Sequence, residues 1–281
     1  MKTRPPWGRK LLNLSVCLWA GISASLGLVA LFWIITTVVI KGFRAFDFHF
    51  FTALPTPPGV PGGGVANAIL GTAVLTALAT LAAVPIGMLA GIFLGEFGQD
   101  AKIADFSRFA ANVLMGMPSI IIGVFAYGLL VVPMGSFSGY AGAFALAVIM
   151  LPVVSRTTED MVRLVPNTLR ESALALGAPR WRVTLGIVFR AAKSGLLTGV
   201  LLAVARVSGE TAPLLFTALN SPYWLTSLAK PTPNLTVTIF DYAMSPYADW
   251  QQKAWGASLL ITLGILAVTV MTRWTLREKK S

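Results

Sequence analysis

Long apolar stretches dominate the chain, and charge interrupts them at wide intervals. No Asp, Glu, Lys or Arg lies between Lys10 and Lys41, Asp47 and Glu96, Arg108 and Arg156, or Lys253 and Arg273, which leaves uncharged runs of 30, 48, 47 and 19 residues. A hydrocarbon core about 30 Å thick takes about 20 helical residues to cross. The first and last runs therefore fit one span each, near 11–40 and 254–272, and the two long runs need internal breaks. Residues 133–139, beginning at Pro133 and ending at Gly139, form a turn-rich stretch that separates spans near 109–132 and 139–155. Residues 55–64, with four Pro and four Gly, cannot continue a helix and leave a loop before a span near 66–95. The stretch 194–217 is apolar but carries Arg206 and Glu210. Arg190 and Lys193 before it and the Pro- and Asn-rich 220–234 after it bracket a further span. The pattern predicts an all-α polytopic membrane protein with about six transmembrane helices.

Charge fixes an orientation for these spans. Only 12% of residues are charged, against about 25% in ordinary soluble proteins, which argues against a water-soluble fold. Positive residues in short loops favour the cytoplasmic side. With both termini inside, segments 1–10, 96–108, 156–193 and 273–281 hold 17 Lys and Arg, and the external loops hold only Lys41, Arg44, Lys230 and Lys253. The net charge of +11 is thus mainly a topology signal. Its residues flank spans, so they point to membrane lipid and not to nucleic acid. Residues 11–40 exceed the 7–15-residue apolar core of a cleaved signal peptide and read as a retained anchor.

Composition offers little covalent chemistry. One Cys, Cys17, and one His, His49, permit no disulfide within the chain and no recognisable zinc or haem site. His49, among Phe46, Phe48, Phe50 and Phe51, reads as interfacial. No compact set of His, carboxylates or Cys marks a catalytic centre. Without a Gly-x-x-x-x-Gly-Lys-Ser/Thr loop the chain is not expected to hydrolyse ATP by itself. Trp224, Tyr242, Tyr247 and Trp250 in the external loop 218–253 read as an aromatic belt or as a docking surface. The Gly and Ala runs at 71–95 and 139–147 read as close helix contacts.

The longest internal connection, 156–193, carries two helix signatures. Pro166 can open a helix through Leu176 that Gly177 stops, and Ala178-Pro179 starts a second from Arg180 to Phe189. Trp181, Leu185 and Val188 follow the spacing of one amphipathic face. Such a hairpin suits either a groove on a cytoplasmic partner or the surface of the bilayer.

Glu171-Ser172-Ala173, Gly177 and, ten residues on, Ile187 resemble the EAA loop of ABC importer permeases, with Ser172 in place of an Ala and Phe189-Arg190 where Leu-Pro is usual. The stretches 84–96 (from Val84), 117–127 (from Met117) and 205–214 (from Ala205) resemble PstA-type phosphate permeases. The resemblance implies a type I-like importer permease in the bacterial inner membrane, with 156–193 as a coupling loop that docks on ATPase subunits. It also implies a homologous second permease, two copies of an ATP-binding subunit that bind ATP and Mg, and an external phosphate-binding protein, with no cofactor in this chain. Permeases for sulfate or molybdate remain alternatives, as do a channel and a membrane scaffold.

Ionisable groups inside a span cost about 2.5–3.5 kcal/mol each and usually face a polar path. On a helix entered near Ser194, Arg206 and Glu210 lie about 18 and 24 Å along, past the midplane. One reading makes them a self-neutralising pair. The other makes Arg206 the group that attracts an anion, because guanidinium matches oxyanions with paired donors, and lets Glu210 accept a hydrogen bond from protonated phosphate or hold Arg206 in place. Pro118 is expected to end or kink its span and to leave backbone groups beside Ser119 that line the path or serve packing.

Overall fold

The computed structural model describes residues 6–98 and 101–275. Lys2, Arg4, Arg277, Lys279 and Lys280, which contribute to the terminal charge count, lie outside them. The chain folds as α1 (Pro6–Phe43), α2 (Phe48–Thr52), α3 (Ala66–Phe97), α4 (Lys102–Gly116), α5 (Ser119–Met134) and α6 (Gly139–Arg163). There follow α7 (Asn167–Ala175), α8 (Arg180–Ser208), α9 (Ala212–Leu215), α10 (Leu235–Ala243) and α11 (Ala248–Thr275). Among the described residues five helices are long and apolar enough to cross a membrane, and the bent pair α4–α5 makes a sixth if its two helices count as one span.

The core forms where α6 lies between α3 and α8. Small residues repeat every four positions along α3, at Ala83, Gly87, Gly91 and Gly95, so the two backbones approach closely. A Cβ at Gly91 would stand 2.5 Å from the Ser155 carbonyl and from Thr158 Cβ, and one at Gly87 3.0 Å from Val154. Gly195 and Gly199 of α8 meet Met161 and Thr157 of α6 in the same way. Leu75, Leu146, Met150, Val154, Ala203 and Val207 fill the space between. The glycine and alanine runs therefore serve helix packing. Pro85 and Pro152 sit inside α3 and α6, as transmembrane helices tolerate where neighbours re-satisfy the freed backbone. α1 joins the bundle only by its last turns, where Gly42 abuts Leu259 and the Trp255 carbonyl of α11. From Trp7 to Phe32 its large apolar side chains are exposed.

Three expected boundaries move, and one expected helix face does not form. The span near 109–132 is two helices bent by 104° at Met117-Pro118. Pro118 lacks an N–H and pushes Met117 into an extended conformation (φ −74°, ψ 138°), which ends α4. The turn at 133–139 is present, with Gly135 at φ +66° and Ser138 capping α6 by accepting from the Ala141 N–H. α6 does not stop at residue 155. Its last two turns carry Arg156, Glu159, Asp160 and Arg163, whose i, i+3 and i, i+4 ion pairs let the helix run on to Arg163.

The stretch 194–217 is not one helix either. α8 ends at Ser208, Gly209 and Glu210 leave the helical path, and α9 begins at Ala212. Finally, Trp181, Leu185 and Val188 do not share a face. Residues 184–188 form a wider turn with an extra residue, so Val188 is buried beside Val183 while Trp181 and Leu185 stay exposed.

Candidate functional site

Loops at one end of the bundle are tied to the starts of α3 and α6. The Leu235 N–H donates to Thr72 Oγ1, Asn67 Nδ2 donates to the Ser221 carbonyl, and the Ser138 N–H donates to the Thr217 carbonyl. Tyr242 and Trp250 stack at 4.4 Å within a second core with Phe50 and Leu235. Tyr242 is therefore buried and not part of an aromatic belt, while Trp224 and Tyr247 remain exposed. Burial, reinforced by Asp241 and Asp249, pushes the Tyr242 phenol up to about 12.

Arg206 and Glu210 lie just below this end. Leu196, Gly199, Ala203 and Val207 are buried in the bundle, whereas Leu202 and Arg206 project from another side of α8, which is open. Arg206 Nε stands 4.0 Å from Glu210 Oε1, with the arginine side chain 54% exposed and the glutamate 17%. A contact this long, half open to its surroundings, is worth about 0–1 kcal/mol. The Glu210 backbone carbonyl accepts from Thr236 Oγ1 at 2.9 Å, which pins the link after the Gly209 break. Ser119 starts α5, one turn before Gly123, whose Cβ would fall 2.7 Å from Pro213 Cα of α9. Its hydroxyl makes no hydrogen bond among the described residues, and no ion pair or hydrogen bond joins it to Arg206 or Glu210.

The opposite end carries the residues of the EAA resemblance. Gly177 takes φ +82°, a left-handed conformation that glycine adopts without steric cost, and so stops α7. Ala173 is buried with Val162, Val165, Val183 and Val188, and Ile187 packs against the same cluster. Ser172 Oγ donates within the helix to the Thr168 carbonyl. Glu171 and Gly177 are exposed, beside exposed Leu174, Leu176, Trp181 and Leu185. One short helical hairpin thus presents apolar side chains and a carboxylate at a single end of the molecule.

Sequence reasoning passed over the charges that hold this end. Glu159, 1% exposed, accepts from Arg108 at 2.8 Å and lies 2.8 Å from Arg163 and 3.3 Å from Arg156. Glu96 pairs with Arg170 at 2.6 Å. The signal was present: Glu96 is the first charge after the 48-residue uncharged run, and Glu159 with Asp160 are acids in a basic segment.

Comparison with known proteins accounts for this architecture. A family model described as binding-protein-dependent transport system inner membrane component matches residues 83–278. The phosphate transport system permease protein PstA of Yersinia pestis is 48% identical over 254 residues, covering 90% of this chain and 86% of that protein. The Haemophilus influenzae protein of the same name is 48% identical over 259 residues, with 92% of each covered. Among solved structures, a bacterial ABC transporter that imports the polysaccharide alginate aligns at a TM-score of 0.66 and 12% identity, over 97% of this chain and 100% of that one. The inward-facing MetNI methionine ABC transporter aligns at 0.63 and 18% identity, over 76% and 94%. At such identities the structural likeness concerns the fold alone, and the sequence relatives carry the assignment: the chain belongs to the binding-protein-dependent transport system inner membrane components, and within them to the PstA-type permeases.

Proposed function

We propose that this chain is a permease subunit of an ATP-driven importer of inorganic phosphate, forming half of the translocation path. The observation that carries the reading is a guanidinium on an open helix face inside a membrane span, in a chain whose close relatives bear the name of phosphate permeases. Arg206 facing lipid would cost about 2.5–3.5 kcal/mol. A homologous second permease that covers this face and encloses a polar path removes that penalty. Within the path Arg206 attracts the anion through its paired donors. Glu210, held near it, orients the guanidinium or accepts a hydrogen bond from protonated phosphate, and Ser119 lies at the bend of the neighbouring broken span.

Glu171, Ser172, Ala173, Gly177 and Ile187 belong to the coupling hairpin. Its exposed apolar face meets the ATP-binding subunits, two copies of which carry ATP and Mg, so this chain needs no cofactor of its own. The excess of Lys and Arg on the hairpin side, 17 against 4, supports a cytoplasmic location for that end and for both termini in the bacterial inner membrane. An external phosphate-binding protein then delivers its cargo to the opposite end.

The test is uptake of labelled phosphate at low external concentration, with and without the gene, with excess sulfate as competitor and with ATP depleted. Loss of ATP-dependent, sulfate-insensitive uptake on deletion is expected, and Arg206→Gln is expected to abolish it while the complex still assembles. Persistent phosphate uptake with failed sulfate or molybdate uptake overturns the substrate. Normal transport by Arg206→Gln overturns the role of that residue.

A further inference from the structure

Two carboxylates at the coupling end join helices that are distant in sequence. Arg170 precedes Glu171-Ser172-Ala173 on α7 and reaches Glu96 in the last turn of α3, with Nη2 2.6 Å and Nε 3.0 Å from Oε1. The same guanidinium donates to the carbonyls of Val162 and Val165, at and just beyond the end of α6, and to Asn167 Oδ1. All five of its N–H donors are therefore engaged, which fixes the plane of the group as well as its position. The pair is 16% and 11% exposed.

A second joint lies beside it. Arg108 of α4 donates to Glu159 of α6 at 2.8 Å and to the carbonyls of Leu94 and Gly98 at the end of α3, at 3.0 and 3.1 Å. α3, α4 and α6 are thereby tied at one level.

Apolar packing does not fill the space between α7 and α3. A cavity of about 640 Å³ opens there and reaches the start of α8, lined by Leu174, Arg180 and Thr184 among others and by both members of the ion pair, Glu96 and Arg170. Ala173 is the single buried residue of α7. α3, by contrast, is locked along α6 by its glycine stripe, and a close-packed interface of this kind transmits displacement with little give.

We propose that Arg170 and Glu96 form a rigid strut that carries movement of the coupling helices into α3, and that Arg108 and Glu159 make α3, α4 and α6 follow as one body. Arg170 and Glu96 are positioning residues for the coupling of ATP hydrolysis to transport. The inference rests on the importer reading. A guanidinium whose Nε and Nη2 converge on one carboxylate suits the task because it fixes direction and distance, whereas an exposed apolar contact can slide.

The experiment uses the complete complex in proteoliposomes with the external binding protein, and reads ATP hydrolysed, anion taken up and ATP-binding subunit retained. Glu96→Gln keeps the volume and removes the charge, while Arg170→Lys keeps the charge and removes the fork. In Glu96→Gln, uptake per ATP is expected to fall about tenfold, with hydrolysis within about twofold of wild type. Arg170→Lys is expected to lie between, and it carries the test if the Glu96→Gln chain does not fold into the membrane. A wild-type ratio in the assembled variants overturns the strut, because the motion then travels elsewhere. Loss of the ATP-binding subunit from the complex also overturns it, because the pair then only shapes the docking surface. If the wild-type complex carries sulfate or molybdate instead, the phosphate reading fails and the strut is judged by the same ratio for that anion.

Discussion

The buried carboxylate of Glu159 offers the sharpest quantitative check on the packing argument. Glu159→Gln preserves shape and removes one charge from a group that is 1% exposed and surrounded by three arginines. The arginines do not weigh equally. Arg108, 17% exposed, keeps Asp105 at 2.9 Å and the carbonyls of Leu94 and Gly98, so it loses one charged hydrogen bond and is not stranded, at a cost of about 1.5–3 kcal/mol. Arg156 and Arg163 are 40% and 45% exposed, so solvent screens them and each adds at most about 1 kcal/mol. The sum is dominated by Arg108, and a loss of about 2–4 kcal/mol is expected. At about 2–4 °C per kcal/mol for a chain of this size, the melting temperature should fall by about 4–16 °C. The assay is thermal unfolding of the purified protein in detergent, followed by tryptophan fluorescence. Asp160→Asn is the control, because that side chain is 49% exposed and only 3.5 Å from Arg156, a contact worth at most about 1 kcal/mol. If the two variants melt within about 2 °C of each other, burial does not set the strength of this cluster and the reasoning fails.

Two further outcomes follow from the same geometry. Gly91→Ala places a methyl 2.5 Å from the Ser155 carbonyl and should destabilise the α3–α6 contact by about 1–3 kcal/mol, whereas Gly116→Ala, with nothing within 4 Å of the added carbon, should have little effect; paired melting curves compare them. Tyr242, raised to about 12 from an ordinary value of 10, favours the folded state while it stays neutral. The unfolded chain loses that proton first, so the contribution is complete below pH 10 and is lost as pH rises towards about 12; tyrosinate absorbance and unfolding measured across that window check it.

Much of the architecture was legible in the sequence because the bilayer imposes a simple rule. Uncharged runs of about 20 residues become spans, and Lys and Arg mark one side of them. The runs from Lys10 to Lys41 and from Lys253 to Arg273, the turn at 133–139 and the Gly177 stop all depend on local chemistry, and each appears at its expected place. Arg206 and Glu210 were conspicuous for the same reason, since charge inside an apolar run stands out. Other features depend on contacts between segments far apart, which no local pattern encodes. Pro118 ends α4 locally, but the direction α5 takes after the 104° bend goes with its packing on α9 through Gly123 and Pro213. The extra residue at 184–188, which turns Val188 inward and leaves Trp181 outside, reflects the apolar cluster around Val162 and Ala173. The pairings of Glu96 with Arg170 and of Glu159 with Arg108 join residues 74 and 51 positions apart. The sequence by itself determined which segments are apolar enough to cross a membrane and where their flanking positive charges gather, because water, lipid and charge act on each segment separately. Only the tertiary structure decided which charges meet, because a pairing exists only once the helices have packed.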